Sequence, residues 1–183
     1  MKTLIIYLAF FVWTGALYAQ IELEETKVGF APLSSEIVED GNSYSFTIRE
    51  TYQGEFEARP MAFMKENFSM KEFIAVVDKE GKYDGYQVSF RSDKGALQAD
   101  FDADGNLLSS SERFKNVVLP RDLQKQLYND HKGWTMVKNI RVTRGNNGGI
   151  NKTVYRIKLE NGAQKKNVKF HGNDLEGSEV VAQ

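Results

Sequence analysis

Tyr86-Gln87-Val88-Ser89-Phe90, followed by Ala99-Asp100-Phe101, is the stretch of sequence from which the fold is predicted. Apolar and polar residues alternate in it with the period of two that indicates a half-buried strand. The same pattern returns 69 positions later, as Tyr155-Arg156-Ile157-Lys158-Leu159 and Val168-Lys169-Phe170. Each copy follows a short helical pattern, so the sequence predicts two copies of one folding unit.

The first unit is predicted to span residues 43–117. An alternating strand pattern starts at Ser43 and continues to Phe56, and a short helix is predicted from Pro60 to Phe68, because proline suits the first helical turn. Phe73–Val77 and Tyr86–Phe90 are then predicted to pair as a hairpin, since the residues between them are typical of turns.

The second unit is predicted to span residues 118–183. A leucine stripe begins at Leu119, next to Pro120, and predicts a helix that ends near Gly133. Met136–Val142 and Val154–Leu159 are predicted strands. Arg144–Gly149, which lies between them, is rich in glycine and asparagine and is predicted to be a mobile loop.

Residues 1–19 have the pattern of a secretory signal peptide. Lys2 precedes an apolar run from Leu4 to Trp13, and cleavage is expected after Ala19. The run is shorter than the ~20 residues that a membrane-spanning helix needs, which disfavours the alternative of a signal anchor. The mature protein is therefore predicted to be periplasmic or secreted and not inserted in a membrane, with residues 20–42 as a linker or an edge strand.

Composition excludes several classes of protein. The chain has no cysteine, which excludes disulfides, thiolate chemistry and a lipid anchor on cysteine. Its 24 basic and 25 acidic residues are nearly balanced, which argues against binding to nucleic acid. With 12 Phe, 8 Tyr and only 3 Pro, most of the chain is expected to fold rather than remain disordered.

One acidic stretch has the spacing of a metal ligand set. Asp100, Asp102 and Asp104 alternate ahead of Gly105, as in the first half of a calcium-binding loop. The twelfth position of that loop would be Ser111, whereas the nearest carboxylate, Glu112, comes one residue later. A hairpin turn is the favoured interpretation, and calcium binding by the three aspartates is the alternative.

The sequence contains no recognisable catalytic set. His131 and His171 are far apart in the sequence, and neither a nucleophile elbow nor a phosphate-binding glycine loop is present. The chain is therefore predicted not to be an enzyme and to need no cofactor. Four aromatic residues could anchor a partner or pack in the core, with core packing favoured: Tyr83, Tyr86, Tyr128 and Trp134.

The run Phe101-Asp102-Ala103-Asp104-Gly105, the helix after Leu119-Pro120 and the strand pattern from Tyr155 to Phe170 resemble the exported PepSY-like family, which is also described as β-lactamase-inhibitor-like. The resemblance covers roughly residues 43–175. It implies an α+β fold like that of β-lactamase inhibitory protein, in which a short helix packed on an antiparallel β-sheet is repeated in tandem. It also implies that the concave sheet surface grips a protein. This chain lacks that protein's disulfide cysteines, and inhibition of a β-lactamase is not carried over.

These observations lead to one functional prediction and one alternative. The chain is predicted to be an exported, non-catalytic binding module for a protein or peptide partner in the cell envelope. The alternative is an envelope protein that binds calcium or a small ligand through Asp100–Asp104.

Overall fold

A computed structural model describes residues 20–22 and 33–172 of the 183-residue chain. Over these residues the fold is α+β, with four helices and an open, mostly antiparallel sheet of eight strands plus a three-residue strand at one edge. The helices are α1 (Glu50–Ala58), α2 (Pro60–Asn67), α3 (Met70–Val77) and α4 (Arg121–Asp130). The strands are β1 (Gln20–Glu22), β2 (Leu33–Asp40), β3 (Ser43–Ile48), β4 (Gly85–Ser92), β5 (Gly95–Asp102), β6 (Leu107–Lys115), β7 (Thr135–Asn146), β8 (Gly149–Asn161) and β9 (Gln164–His171).

Strand order in the sheet follows chain order from β1 to β9. Neighbouring strands are antiparallel except for β3 and β4, which are parallel. The exception follows from the connection, because α1, α2 and α3 carry the chain from the end of β3 back to the start of β4. α4 lies in the connection between β6 and β7.

The repeated pattern corresponds to two hairpins with equivalent registers. In the β4–β5 hairpin Tyr86 lies opposite Phe101, and in the β8–β9 hairpin Tyr155 lies opposite Phe170. Both hairpins close through a two-residue turn, the first between Ser92 and Gly95 and the second between Asn161 and Gln164. The 69-residue offset therefore holds for the strand register and for the turn.

The predicted strand Phe73–Val77 is wrong, because these residues belong to α3. The Ser69 hydroxyl caps this helix by accepting a hydrogen bond from the Glu72 backbone N–H at 3.4 Å. Phe73 is fully buried and packs against Tyr44 and Phe46 of β3. Tertiary burial thus outweighs the β-branched character of the segment, and the predicted hairpin with β4 does not form.

The predicted strand from Ser43 to Phe56 is only half right. β3 ends at Ile48, and α1 begins at Glu50 and buries Phe56 against Phe114 of β6. The helix predicted from Pro60 and the helix predicted next to Pro120 are confirmed as α2 and α4.

The predicted loop Arg144–Gly149 is also wrong. β7 continues to Asn146 and β8 starts at Gly149, so only Asn147 and Gly148 form the turn. Both turn residues have positive φ, 50° for Asn147 and 78° for Gly148, as a two-residue hairpin turn requires. The glycine and asparagine content therefore marks a tight hairpin between long strands.

Both hydrophobic clusters lie on the same face of the sheet. α1–α3 pack on β3–β6 in the first cluster, and α4 packs on β8 and β9 in the second. The two clusters are joined by one row of cross-strand neighbours, which must share a face: Phe114, Arg141, Tyr155 and Phe170.

The predicted signal peptide, residues 1–19, lies outside the described residues. Segment 20–42 contains β1 and β2, and β2 pairs with both β1 and β3. None of the helices in the described part of the chain is long and apolar enough to cross a membrane.

Gly95 is predicted to be essential to the β4–β5 hairpin. A Cβ atom at this position would clash with the Arg113 carbonyl oxygen of β6. We expect Gly95→Ala to lower the free energy of unfolding by about 1–3 kcal/mol, because the strands must separate locally. Urea unfolding checks this against Gly54→Ala in α1, where a Cβ meets nothing within 4 Å and a gain of about 0.5–1 kcal/mol is expected. Equal stability of Gly95→Ala and the wild type would contradict the close approach.

Candidate functional site

The helices leave one face of the sheet uncovered within the described residues. Side chains alternate between the two faces along a strand, so the neighbours of each core residue point away from the helices. On β6, for example, Phe114 is fully buried under α1, whereas Arg113 and Lys115 on either side of it are exposed. We call this uncovered surface the open face.

The open face of β6–β9 is strongly basic. Its only acidic residue in the described strands is Glu160, which lies 3.1 Å from Lys158. No other cation on this face has a carboxylate within ion-pair distance among residues 20–22 and 33–172. We call the following set the basic face: Arg113, Lys115, Lys138, Arg144, Lys152, Arg156, Lys158, Lys165 and Lys169.

Several of these cations lie directly opposite one another on adjacent strands. Lys138 of β7 is opposite Lys158 of β8, and Arg144 is opposite Lys152. Arg156 of β8 is opposite Lys169 of β9. Like charges in directly opposite positions destabilise a sheet, so this arrangement lowers the stability of the free protein.

Three adjoining depressions lie along the basic face. One of 490 Å³ extends from β4 to Lys138 and Ile140 on β7. A second, of 410 Å³, shares those two residues and continues across Arg156 to Lys169. A third, of 140 Å³, shares Arg156 and Lys169 and reaches Arg144. The depressions therefore form a continuous surface across the sheet.

An aliphatic strip runs through the middle of this surface. Ile140 and Val142 follow each other on the open face of β7, and Val154 of β8 lies opposite Val142. Lysine and arginine side chains can lie along aliphatic residues with their methylene groups while keeping their charge in water. A ligand on this face would thus meet both cationic groups and apolar surface.

The three candidate calcium ligands lie near each other in sequence but do not converge. The Asp100 carboxylate accepts hydrogen bonds from Gln87 of β4 and Ser109 of β6. The Asp102 carboxylate accepts bonds from the backbone N–H groups of Asp104 and Asn106, at 3.0 and 2.7 Å. Among the described residues, no group of three or more His, Cys, Asp or Glu side chains could hold a metal ion.

Asp102 organises the turn between β5 and β6. Its carboxylate accepts bonds from both the side chain and the backbone of Asn106, and these bonds hold its pKa below the ordinary value of 3.8. Gly105 has a φ of 77°, which glycine adopts without strain. Asp102 and Gly105 therefore have the roles that the hairpin-turn interpretation gave them.

A buried ion pair lies under the helices, on the face opposite the basic one. Arg141 Nη2 lies 3.7 Å from Glu112 Oε2 and donates a hydrogen bond to the Glu57 carbonyl at 2.9 Å. Burial raises the pKa of Glu112, while Arg141 and a hydrogen bond with Thr143 oppose that rise. These residues connect α1 to β6 and β7, which is a structural role.

The four aromatic candidates lie away from the basic face. Tyr86 is buried, and its hydroxyl donates to Asp78 at 2.8 Å. Tyr83 and Trp134 pack against the two cores. Tyr128 is 75% exposed and borders a separate 380 Å³ depression beside α4.

Sequence reasoning did not find the basic face, although a signal for it was present. In β8 the polar positions of the alternating pattern include Lys152, Arg156 and Lys158, and in β9 they include Lys165 and Lys169. Net charge, averaged over the chain, hides this segregation. Charge counted separately for each face of a predicted strand would have revealed it.

Comparisons of this chain with protein-family models, with curated proteins and with solved structures found no match.

Glu112 gives stability a predictable dependence on pH. Its pKa in the folded protein is above the ordinary value of 4.5, so the folded state binds the proton more tightly than the unfolded state. We therefore expect the free energy of unfolding contributed by this group to fall as the pH rises from 4.5 through the raised pKa. Urea unfolding of Glu112→Gln across this range should lack that fall, whereas Glu72→Gln, at an exposed position, should keep it. Parallel pH profiles for the wild type and Glu112→Gln would contradict the assignment.

Calcium is expected to leave the melting temperature unchanged, because the Asp100 and Asp102 carboxylates are occupied by hydrogen bonds of the strands and the turn. Thermal melts with millimolar Ca²⁺ and with a chelator test this. Asp102→Ala should melt at a lower temperature under both conditions, because the turn loses its acceptor. A rise in melting temperature with Ca²⁺ that Asp102→Ala abolishes would instead support the calcium alternative.

Proposed function

We propose that the mature protein is an exported, non-catalytic binding module that holds a protein or peptide partner in the cell envelope on the open face of its sheet. The observation that carries this proposal is the continuous row of depressions on a sheet face that the described helices leave uncovered. Binding surfaces of this kind combine apolar contact area with charged groups around it. The aliphatic strip through Ile140 and Val142, surrounded by cations, has this composition.

The sheet offers a rigid support for such a surface. The basic face lies on four consecutive antiparallel strands that are hydrogen-bonded to one another along their length. The opposite face is held by the hydrophobic clusters beneath the helices. A preformed surface binds with little ordering cost, which favours recognition without a large conformational change.

The same proposal includes a repeat architecture for the fold. The chain is a tandem repeat of the PepSY-like, β-lactamase-inhibitor-like kind, with residues 43–117 and 118–183 as its units. Support comes from the equivalent registers of the β4–β5 and β8–β9 hairpins. A helical segment also precedes both hairpins, directly before β4 in the first unit and before β7, which leads into β8, in the second. Export to the periplasm or the medium rests on the signal pattern of residues 1–19.

Site-specific crosslinking in the native host tests the proposed function. A photoreactive residue replaces the exposed Lys138 on the open face in one variant and the exposed Lys125 on α4 in the control. We expect the photoreactive residue at position 138 to crosslink an envelope protein in near-stoichiometric amount. The residue at position 125 should give no such crosslink. Crosslinks that are the same from both positions, or absent from both, would contradict the use of the open face.

A further inference from the structure

We infer that the partner segment bound by the open face is an acidic polypeptide that also carries aliphatic side chains. This inference rests on the proposed function and specifies its partner. The first argument for it is charge complementarity. The basic face concentrates cations on one side of a chain whose basic and acidic residues number 24 and 25. On the open face of the described strands β6–β9 the one acidic residue is Glu160, and Asp93 of the β4–β5 turn borders the first depression.

The second argument is the position of the charges. Opposed pairs such as Arg156 with Lys169 and Arg144 with Lys152 repel each other in the free protein. A surface selected for stability alone would alternate cations with carboxylates. An anionic partner would remove this repulsion when it binds. The relief of repulsion between the cations would then contribute to the free energy of binding.

The dimensions of the surface fit a short extended peptide. Four strands span about 15 Å, and the run from Lys158 to Lys152 along β8 covers about 20 Å. An extended segment of six to eight residues has roughly this length, at about 3.3 Å per residue. Alternate side chains of such a segment would meet the half-buried Ile140 and Val142 of the aliphatic strip, and its carboxylates would meet the surrounding cations.

The chemistry of the face disfavours other polyanions. Proteins that bind single-stranded nucleic acid stack the bases on aromatic side chains, and the described open-face positions of β6–β9 carry no Phe, Tyr or Trp. A uniformly charged polyanion would leave the aliphatic strip without a partner. An acidic peptide with apolar residues uses both features.

Peptide binding by the full mature protein tests the inference. The probe is a fluorescent ten-residue peptide in which Asp and Glu alternate with Leu and Val. Two comparison peptides replace the acidic residues by Asn and Gln, or the aliphatic residues by Ser. We expect the probe to bind most tightly, both replacements to weaken binding, and binding to weaken as salt rises from 50 to 500 mM.

The decisive variant is Arg156→Glu. It should weaken binding of the acidic probe at least about tenfold, because one attraction becomes a repulsion. It should also raise the melting temperature of the free protein, because Lys169 gains an opposite charge across the strands. A merely structural role for Arg156 would not give both effects. The control Lys125→Glu changes the charge equally on α4, next to Asp122, and should lower the melting temperature slightly without affecting binding.

The outcomes separate this inference from the proposed function. If the crosslink from position 138 persists in the Arg156→Glu variant, the inference of an acidic partner is contradicted. The proposal that the open face binds a partner would still stand. Tighter binding of an oligothymidylate or of phosphatidylglycerol vesicles than of the acidic probe would also overturn it. Loss of the crosslinked partner in Arg156→Glu, but not in Lys125→Glu, would support it.

Discussion

The pairing of β6 with β7 is the interaction on which the rest of the structure depends. It joins the two helix-and-hairpin halves into one sheet, from Ser109 opposite Asn146 to Lys115 opposite Ile140. Because side chains alternate, this register decides which residues of both halves share a face, and a shift by one residue would exchange the faces. The buried pair of Glu112 and Arg141 lies at this junction. A shifted register would separate the two side chains, and a buried charge that loses its partner is strongly destabilising, so the pair favours the observed register.

The same register separates apolar from cationic surface. Once Tyr155 and Ile157 are directed to the helices, Arg156 and Lys158 must point to the open face. Sheet pairing then brings them opposite the cations of β7 and β9, so the charge of several strands accumulates on one surface. Folding therefore includes an electrostatic cost, which the burial of large aromatic side chains in the first core offsets.

The successes and failures of sequence reasoning have physical causes. The strands of the repeated hairpins were predictable because alternation is a local property that matches the sheet period. The segment Phe73–Val77 was misread because a short apolar run fits a strand or a buried helix equally well, and only packing against β3 decides between them. For the candidate site, the turn role of Asp102 was predictable from its spacing to Gly105. The basic face was not, because its members come from four strands whose adjacency is a long-range property.

The sequence by itself determined that the chain forms strands with one apolar side, that one strand pattern repeats 69 positions apart, and that α2 begins at Pro60 and α4 directly after Pro120. These features depend on neighbours within a few residues or on one strand pair. Only the tertiary structure decided that the halves form one sheet, that α1–α4 cover the same face and that the cations gather on the other. The reason is that strand adjacency results from burial and hydrogen bonding between distant segments, whereas alternation along a strand specifies two faces without specifying their neighbours.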